Sequence, residues 1–398
     1  MAGINLRLVF LVAMVAAVGY ILWRDRDSVQ RQSILFYRRT QRGVEFIDRV
    51  AKRFPRFWNF YGWIGVVAAF LSIPLVMGNI GYAVFQRFLT GTGGGGISVI
   101  APGLVSQNQF QSGVSFIPVE YWIIGIGILM VVHEFSHGIV ARSQGFEINS
   151  VGWIIFGIIP GAFVEPKGEN MLPGDEDSGE DTEGGDSGGL WDQGSWTGRL
   201  KVLAAGSWAN YLTAAVFFIA ALGVSTAVTQ QGQGVFYIAE NGTAADRAGM
   251  NNGTLYSVNG QRFSSVEELM NITSELEPGA RVDVWTSEGN FTLTLEERNN
   301  SERGYMGVRV GNSREVRESL SPYQNLLEWF VSLLQTVSIL NLGIGLFNML
   351  PAKPLDGGQV LDTLAERFAP SLRGAVNYWS LAVWLVLILS LVLSIFGI

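Results

Sequence analysis

The chain has 398 residues, of which 48% are hydrophobic and only 15% are charged. This composition is typical of a membrane protein, and the length allows several spans and one soluble domain. The chain contains no cysteine, which excludes disulfides, thiolate metal sites and cysteine nucleophiles. The formal net charge is −7 at pH 7, and we expect no nucleic acid as a partner.

The N-terminal residues 1–92 predict two transmembrane helices joined by a basic loop. Apolar runs over 5–23 and 62–85 are long enough to span a bilayer. The loop of residues 24–56 is rich in arginine, and the positive-inside bias predicts that it is cytoplasmic. We expect an amphipathic helix near residues 44–54, with a solvated basic helix that has no lipid contact as the alternative.

Both histidines of the chain lie in a third apolar span, which is predicted over residues 119–142. His133 and His137 are four residues apart, so on a helix they share one face and lie one turn apart. Two imidazoles at this spacing can bind one metal ion, and Glu134 is then placed to act as a general base. These polar side chains are costly in lipid unless they are paired or bind metal, so we interpret them as functional. The alternative is a chance pentapeptide with two core histidines.

Residues 93–225 form the first part of a predicted catalytic membrane core around these histidines. Residues 146–166 are apolar but interrupted by glycine and proline, which predicts short β-strands packed beside the histidine helix. An exposed strand edge there can pair with an extended substrate, and a purely structural re-entrant loop is the alternative. The acidic, glycine-rich stretch 165–192 predicts a disordered cytoplasmic loop. Residues 200–224 predict a fourth span, in which Asn210 supplies a hydrogen bond.

Residues 233–311 have the character of a soluble domain inserted between spans. Strands are predicted at 281–285 and 291–296, a short helix is predicted near 266–276, and Asn259-Gly260 indicates a tight turn. The pattern resembles a PDZ domain of the bacterial protease type, and such domains bind peptides by adding a strand to an exposed sheet edge. We therefore expect a PDZ-like α+β domain that binds peptide or gates access to the membrane core.

Residues 322–398 predict the second part of the membrane core, with spans at 325–349 and 376–396 and a short amphipathic helix at 360–368. A metal held by the two histidines must take its third protein ligand from a carboxylate, because the chain has no further histidine and no cysteine. The fold class predicted from the whole sequence is a polytopic α-helical membrane protein. It has about six transmembrane helices and an inserted soluble PDZ-like α+β domain.

Four motifs together resemble the site-2 proteases, which are intramembrane zinc metalloproteases, and more narrowly their archaeal members. The motifs are HEFSH at 133–137, GAFVEP at 161–166, AAGSWAN at 204–210 and NMLPAKPLDGG at 348–358. The predicted PDZ-like domain lies between the third and fourth motifs, in agreement with the order found in such proteases.

The resemblance implies a role for each matching residue. His133, His137 and Asp356 are expected to bind Zn²⁺, and Glu134 is expected to be the general base. For Asp356, the alternative is an N-cap on the helix that follows it. Asn348 is expected to position the substrate, with a helix-packing hydrogen bond as its alternative. We expect Asn210 to bind substrate as well.

We therefore expect a zinc metalloendopeptidase that cuts a single transmembrane helix of a membrane-anchored substrate near its cytoplasmic end. The resemblance implies regulated intramembrane proteolysis by a multi-pass cell-membrane protein, with the active site toward the cytoplasm and the PDZ-like domain outside. The expected partners are that substrate and the lipid bilayer. The alternatives are a catalytically inactive PDZ-containing membrane scaffold and a metal transporter built around a His/Asp site.

Overall fold

The computed structural model describes residues 6–32, 35–90, 99–103, 109–111, 114–156, 159–166, 194–240, 242–297 and 303–396. The chain divides into two compact units, which are Met1–Ala220 with Ser332–Ile398, and Ala221–Val331. Apart from residues 165 and 166, the acidic loop predicted at 165–192 lies outside the described residues.

The α-helices of the described residues are numbered in chain order. They are α1 (Leu6–Arg24), α2 (Gln41–Arg53), α3 (Pro55–Thr90), α4 (Val119–Ser143), α5 (Trp196–Val228), α6 (Ala244–Arg247), α7 (Val266–Thr273), α8 (Gln324–Asn348), α9 (Asp356–Phe368) and α10 (Arg373–Phe396). Short 3₁₀ helices at Glu318–Tyr323 and Pro370–Leu372 precede α8 and α10.

Five of these helices are long and apolar enough to cross a membrane, counted over the described residues: α3, α4, α5, α8 and α10. They coincide with the second to sixth spans predicted from the sequence. The first predicted span coincides with α1, of which the stretch Phe10–Arg24 is apolar but shorter than the other five. The total of six spans therefore stays a prediction.

The β-strands are numbered in the same way. They are β1 (Gln30–Gln32), β2 (Leu35–Thr40), β3 (Val99–Gly103), β4 (Gln109–Gln111), β5 (Val114–Pro118), β6 (Ile148–Phe156), β7 (Ile159–Pro166), β8 (Thr229–Ala239), β9 (Asn252–Val258), β10 (Gln261–Arg262), β11 (Arg281–Thr286), β12 (Gly289–Thr294), β13 (Glu296–Glu297), β14 (Gly304–Tyr305) and β15 (Val308–Val316). A small sheet of order β3-β5-β4 precedes α4, and β13 pairs with β14.

An antiparallel sheet of order β1-β2-β6-β7 packs beside α4 through β7. The strands predicted at 146–166 are confirmed as β6 and β7. The sequence did not predict β2, whose six residues include two arginines and read as part of the basic loop. Arg39 of β2 donates to Glu165, which is fully buried on β7 and also accepts a hydrogen bond of 2.6 Å from Ser150. Because this carboxylate has partners on β2 and β6, it joins the three strands.

Helix α4 ends where glycine lets the backbone reverse toward β6. Gln144 is the C-cap, and Gly145 has a φ of +91°, in the left-handed region that favours glycine. The Phe146 N–H donates to the Ala141 carbonyl, and the Gly145 N–H donates to the Arg142 carbonyl, which is the Schellman pattern. This cap ends the helix two turns beyond the histidines and leads the chain into the sheet.

Helix α2 is the amphipathic helix that the sequence predicts, and the centre of its apolar face packs against protein. Ile47 and Ala51 are completely buried, and they pack with Ile139 of α4 and Val151 of β6. Whether the exposed part of α2 meets lipid or water stays a prediction. In the middle of α2, Asp48 pairs with Arg142 of α4 through both carboxylate oxygens.

The second unit contains a sheet of order β12-β11-β9-β8-β15, with β10 beside β9. Tyr237, Met250 and Leu255 are buried in its core. The predicted helix is confirmed as α7, and the predicted strands are confirmed as β11 and β12. Asn259 and Gly260 both have positive φ in a two-residue turn between β9 and β10, as the sequence predicts. The PDZ-like classification of this unit stays a prediction.

The Asp48–Arg142 pair makes stability depend on pH in a defined direction. The Arg142 guanidinium lowers the pKa of the Asp48 carboxyl below its ordinary value of 3.8. The pair therefore stabilises the fold above about pH 4, and the contribution is lost as pH falls through the lowered pKa. We expect Asp48→Asn to lower the melting temperature at pH 7 by an amount that corresponds to about 1 kcal/mol or less, because solvent screens the pair. Thermal unfolding in detergent at pH 7 and pH 3 measures this; a deficit of equal size at both pH values contradicts it.

Candidate metal centre

The two histidines of α4 lie next to each other in the interior of the first unit. His133 is buried, His137 is half-buried, and their rings meet edge to face with centroids 4.5 Å apart. Their Nε2 atoms are only 3.0 Å apart. Two nitrogen lone pairs that face each other at this distance repel unless a proton or a cation lies between them. The short distances between the two rings confirm that His133 and His137 share one face of α4 and lie one turn apart, as predicted.

Asp356 reaches the histidines from the far end of the sequence. Its Oδ2 lies 3.4 Å from Nε2 of each histidine and has no hydrogen-bond donor among the described residues. The capping alternative for Asp356 is wrong, because Leu355 occupies the N-cap position and Asp356 is the first residue of α9. The aspartate side chain is therefore free to face the imidazoles.

Two glycines let α9 begin close to the loop that follows α8. A Cβ at Gly357 would overlap the carbonyl oxygen of Met349, and a Cβ at Gly358 would overlap the backbone of Ala352. Any other residue at either position would push the start of α9, and Asp356 with it, away from the histidines. The two glycines after the aspartate thus have a steric function in placing its carboxylate.

The three atoms fit a divalent ion that prefers nitrogen and oxygen ligands in tetrahedral geometry. Bond lengths of about 2.0–2.1 Å to Zn²⁺ place two ligand atoms about 3.3 Å apart. The observed separations between the two Nε2 atoms and Oδ2 are 3.0, 3.4 and 3.4 Å. The group His133, His137 and Asp356 could hold a metal ion, and three protein ligands leave a fourth position open.

Glu134 lies on the side of α4 that faces the sheet. Its carboxylate lies near the backbone of Val164, which belongs to β7. Strand β7 is an edge strand of its sheet, since β6 is its only paired neighbour among the described residues. The candidate base and an open strand edge therefore lie next to each other beside the ligand group.

The two asparagines predicted to bind substrate occupy different positions around His133. Asn348, the last residue of α8, places its Nδ2 3.5 Å from Nε2 of His133, the ring nitrogen that faces the ligand group. Asn210 of α5 is completely buried, and its amide lies 3.1 Å from Nδ1 on the opposite side of the ring. Both residues are thus brought to the site, Asn348 on its inner side and Asn210 behind it.

Helix α5 contributes a residue whose role at the site the sequence did not indicate. A Cβ at Gly206 would overlap Nε2 of His137 and would lie 2.6 Å from Cε1 of His133. Within the motif AAGSWAN, the sequence analysis assigns a role only to Asn210. The signal that was available is the glycine within this motif, which marks a close approach between helices. Helix α5 lies directly against both imidazole rings because position 206 has no side chain.

Two histidines on a long apolar helix and a distant aspartate at the start of α9 thus form a group that could hold a metal ion. The family model described as Peptidase family M50 matches residues 121–391, well over half of the chain. The chain therefore belongs to peptidase family M50, the site-2 protease family. It is also similar to an uncharacterized protein of Methanocaldococcus jannaschii, with 24% identity over 368 residues that cover 90% of this chain and 86% of that protein.

Gly206→Ala tests whether the close approach of α5 matters for metal binding. Alanine favours helix over glycine by about 0.5–1 kcal/mol, so local propensity alone would stabilise the variant. We expect instead a fall in zinc affinity of at least ~10-fold and a lower melting temperature, because overpacking typically costs about 1–3 kcal/mol. Chelator competition and thermal unfolding measure both.

The matched control is Gly223→Ala on the same helix, where a Cβ would meet no atom within 4 Å. This variant should bind zinc like the unmodified chain. Equal zinc affinity for the two alanine variants would show that Gly206 has no steric role at the metal centre.

Proposed function

We propose that this chain is a zinc-dependent endopeptidase that cleaves a transmembrane segment of a membrane-anchored substrate. The observation that carries the proposal is the convergence of His133 Nε2, His137 Nε2 and Asp356 Oδ2. Glu134 lies next to His133 on α4. Membership of peptidase family M50 supports proteolysis, and five long apolar helices support a location in the membrane.

The chemistry divides between the ion and the residues around it. Zinc, when bound by the two histidines and Asp356, supplies a Lewis acid that activates water near neutral pH. Glu134 removes a proton from the attacking water and later returns it to the leaving amine. The backbone of Val164 lies near its carboxylate, and this polar neighbour supports the role because a general base must stay within reach of the proton it transfers.

Asn348 and the edge of β7 are the parts of the site that we assign to the substrate. The amide of Asn348 is close enough to the ligand group to donate a hydrogen bond to the substrate carbonyl oxygen as negative charge develops on it. A transmembrane helix uses its carbonyls internally, so the scissile segment must first unwind. The free edge of β7 then offers backbone partners to the extended segment.

The cellular setting is part of the proposal. We assign the ligand group to the cytoplasmic half of the membrane and the PDZ-like domain, residues 233–311, to the outer side. Regulated proteolysis fits this arrangement: the substrate is a single-span protein whose outer part another protease trims first, and the domain filters substrates by size or docks them.

An inactive scaffold is less well supported, because a scaffold needs neither a convergent ligand set nor Glu134. A metal transporter is also less well supported, because the candidate metal group found among the described residues is a single one.

Glu134→Gln separates the enzyme from the scaffold. The substitution keeps side-chain size and leaves the ligand atoms unchanged, so we expect the variant to fold and retain zinc. Cleavage of a single-span reporter with a Gly/Asn-weakened helix, in liposomes, should fall by ~10²–10⁴-fold because the base is lost.

Two further variants complete this experiment. Asp356→Ala should lose most of the bound zinc together with activity, whereas Glu120→Gln should retain both. Glu120 is a buried glutamate of the same helix, and it lies ~20 Å along the helix from Glu134. A reporter that is cut equally fast by the unmodified chain and by Glu134→Gln would refute the protease assignment.

The membrane topology has its own test. The basic loop of residues 24–56 and the acidic stretch 165–192 should both be cytoplasmic, because the predicted spans alternate and positive loops stay inside. Reporters inserted at these places should be accessible from the cytoplasm, and one inserted within 233–311 should be accessible from outside. An external signal from the acidic stretch would rule out this arrangement of spans.

A further inference from the structure

Three positions on α5, spaced four residues apart, face the two histidines. The carbonyl oxygen of Val202 lies 2.7 Å from Nδ1 of His137, and the amide of Asn210 lies 3.1 Å from Nδ1 of His133. Gly206 lies midway between them and touches both rings. Positions i, i+4 and i+8 form one stripe along a helix. Val202 and Asn210 of this stripe therefore contact the outer nitrogens of the two imidazoles, opposite the atoms that face Asp356, while Gly206 leaves room for both rings.

The partner of His137 determines which of its nitrogens carries the proton. A carbonyl oxygen can only accept, so Nδ1 of His137 must donate to Val202. A neutral imidazole has one N–H, and its other nitrogen, Nε2, then presents a lone pair. The side chain at position 206 would lie over the Val202 carbonyl, because side chains on a helix point toward its N-terminus. Glycine at this position leaves the second lone pair of that carbonyl open to the ring.

His133 meets a side chain instead of a backbone carbonyl, and the amide can bond in two ways. With Nδ2 toward the ring, the amide donates to Nδ1, and the proton of a neutral His133 must be on Nε2, among the ligand atoms. A 180° rotation exchanges Nδ2 and Oδ1 without moving a carbon atom. Oδ1, which has no partner among the described residues, then accepts from Nδ1–H. Only this orientation gives His133 the same lone pair on Nε2 as His137.

We propose that α5 selects the metal-binding tautomer of both histidines, through the Val202 carbonyl for His137 and through Oδ1 of Asn210 for His133. Asn210 is thus a positioning residue behind the metal centre and does not contact the substrate. The proposal rests on the proposed function, in which the ligand group binds zinc. It goes beyond that function by assigning one task to three residues of α5, which are the amide of Asn210, Gly206 and the carbonyl of Val202.

The unmodified chain tests the tautomers directly, because it contains only two histidines and therefore four ring nitrogens. We would label histidine with ¹⁵N, purify the full chain with a tag that contains no histidine, and record ring-nitrogen spectra of the zinc-loaded protein in detergent micelles. The expected result is a protonated Nδ1 and a zinc-shifted Nε2 for each ring. Zinc bound through Nδ1 of His133, or a proton on its Nε2, would overturn the proposal.

Substitutions at Asn210 test the hydrogen bond by a readout that does not depend on activity. Asn210→Leu keeps the volume but cannot accept, so we expect zinc affinity, measured by chelator competition, to fall by ~10–100-fold and the Nδ1 proton of His133 to exchange faster with water. Asn210→Asp can only accept, so it should bind zinc within a few-fold of the unmodified chain and restore the slow exchange. A weak Asp variant beside a normal Leu variant would overturn the proposal.

Asn341→Leu is the matched control. Asn341 is also completely buried, its Nδ2 bonds to the Val337 carbonyl of its own helix, and its Oδ1 likewise has no partner among the described residues. Its loss should leave zinc affinity unchanged, so equal losses for the two Leu variants would attribute the effect to general destabilisation and overturn the proposal.

Two further outcomes distinguish this inference from the proposed function. An Asn210→Leu variant with normal zinc affinity and a raised KM for the reporter would assign Asn210 to the substrate and overturn this inference alone. An unmodified chain that binds no zinc would overturn the proposed function, and this inference with it.

Discussion

Three polar atoms that water would otherwise solvate are held within 3.4 Å of one another among apolar helices, and the first unit depends on this contact. Two imidazole lone pairs and a carboxylate oxygen repel at this distance, and burial of a charge without a partner costs several kcal/mol. A divalent ion at this position would instead form a bond with each of the three atoms. The elements around the site are therefore best understood by what they contribute to holding the three atoms together.

Close helix contacts at glycine provide much of that support. Gly138 meets the Ile47 side chain of α2, Gly206 meets both histidines, and Gly345 meets Tyr211 of α5. Apolar side chains alone do not drive helices together in lipid, where close backbone approach and hydrogen bonds matter more. The hydrogen bond of 2.8 Å from Ser136 of α4 to the Ala205 carbonyl of α5 is of this kind. These contacts fix the distance between α4 and α5, and with it the surroundings of the histidine rings.

The sheet and α2 support the opposite side of α4. Strand β2 and helix α2 follow each other in sequence, and they contact β6 and the C-terminal part of α4. The paired network of Arg39, Glu165 and Ser150 holds β7 to its neighbours, and its outer edge has no strand partner among the residues that the structure describes. Glu134 of α4 thus lies beside a strand that is paired on one side only among the described residues, and this position fits the proposed role of a base that meets an extended peptide.

The amino-acid sequence by itself determined the helices and their chemistry. Uninterrupted apolar runs located five long helices, and the spacing of His133 and His137 set their common face. The absence of cysteine leaves a carboxylate as the third ligand that a metal at these histidines would take. These properties depend on local periodicity and on composition, which a sequence displays directly. The strands at 146–166 followed from glycine and proline inside an apolar run, for the same reason.

Only the tertiary structure decided what packs against these elements. Strand β2 was hidden in an arginine-rich loop, because its stability comes from pairing with β6 and not from an alternating pattern of its own. The centre of the apolar face of α2 is covered by protein because α4 and the sheet present a matching surface. The approach of Asp356 to the histidines, and of Asn210 to the outer nitrogen of His133, joins residues far apart in the chain. For Asp356 the sequence offers only the resemblance of the motif at 348–358, because such contacts arise from the packing of whole helices, which local periodicity does not record.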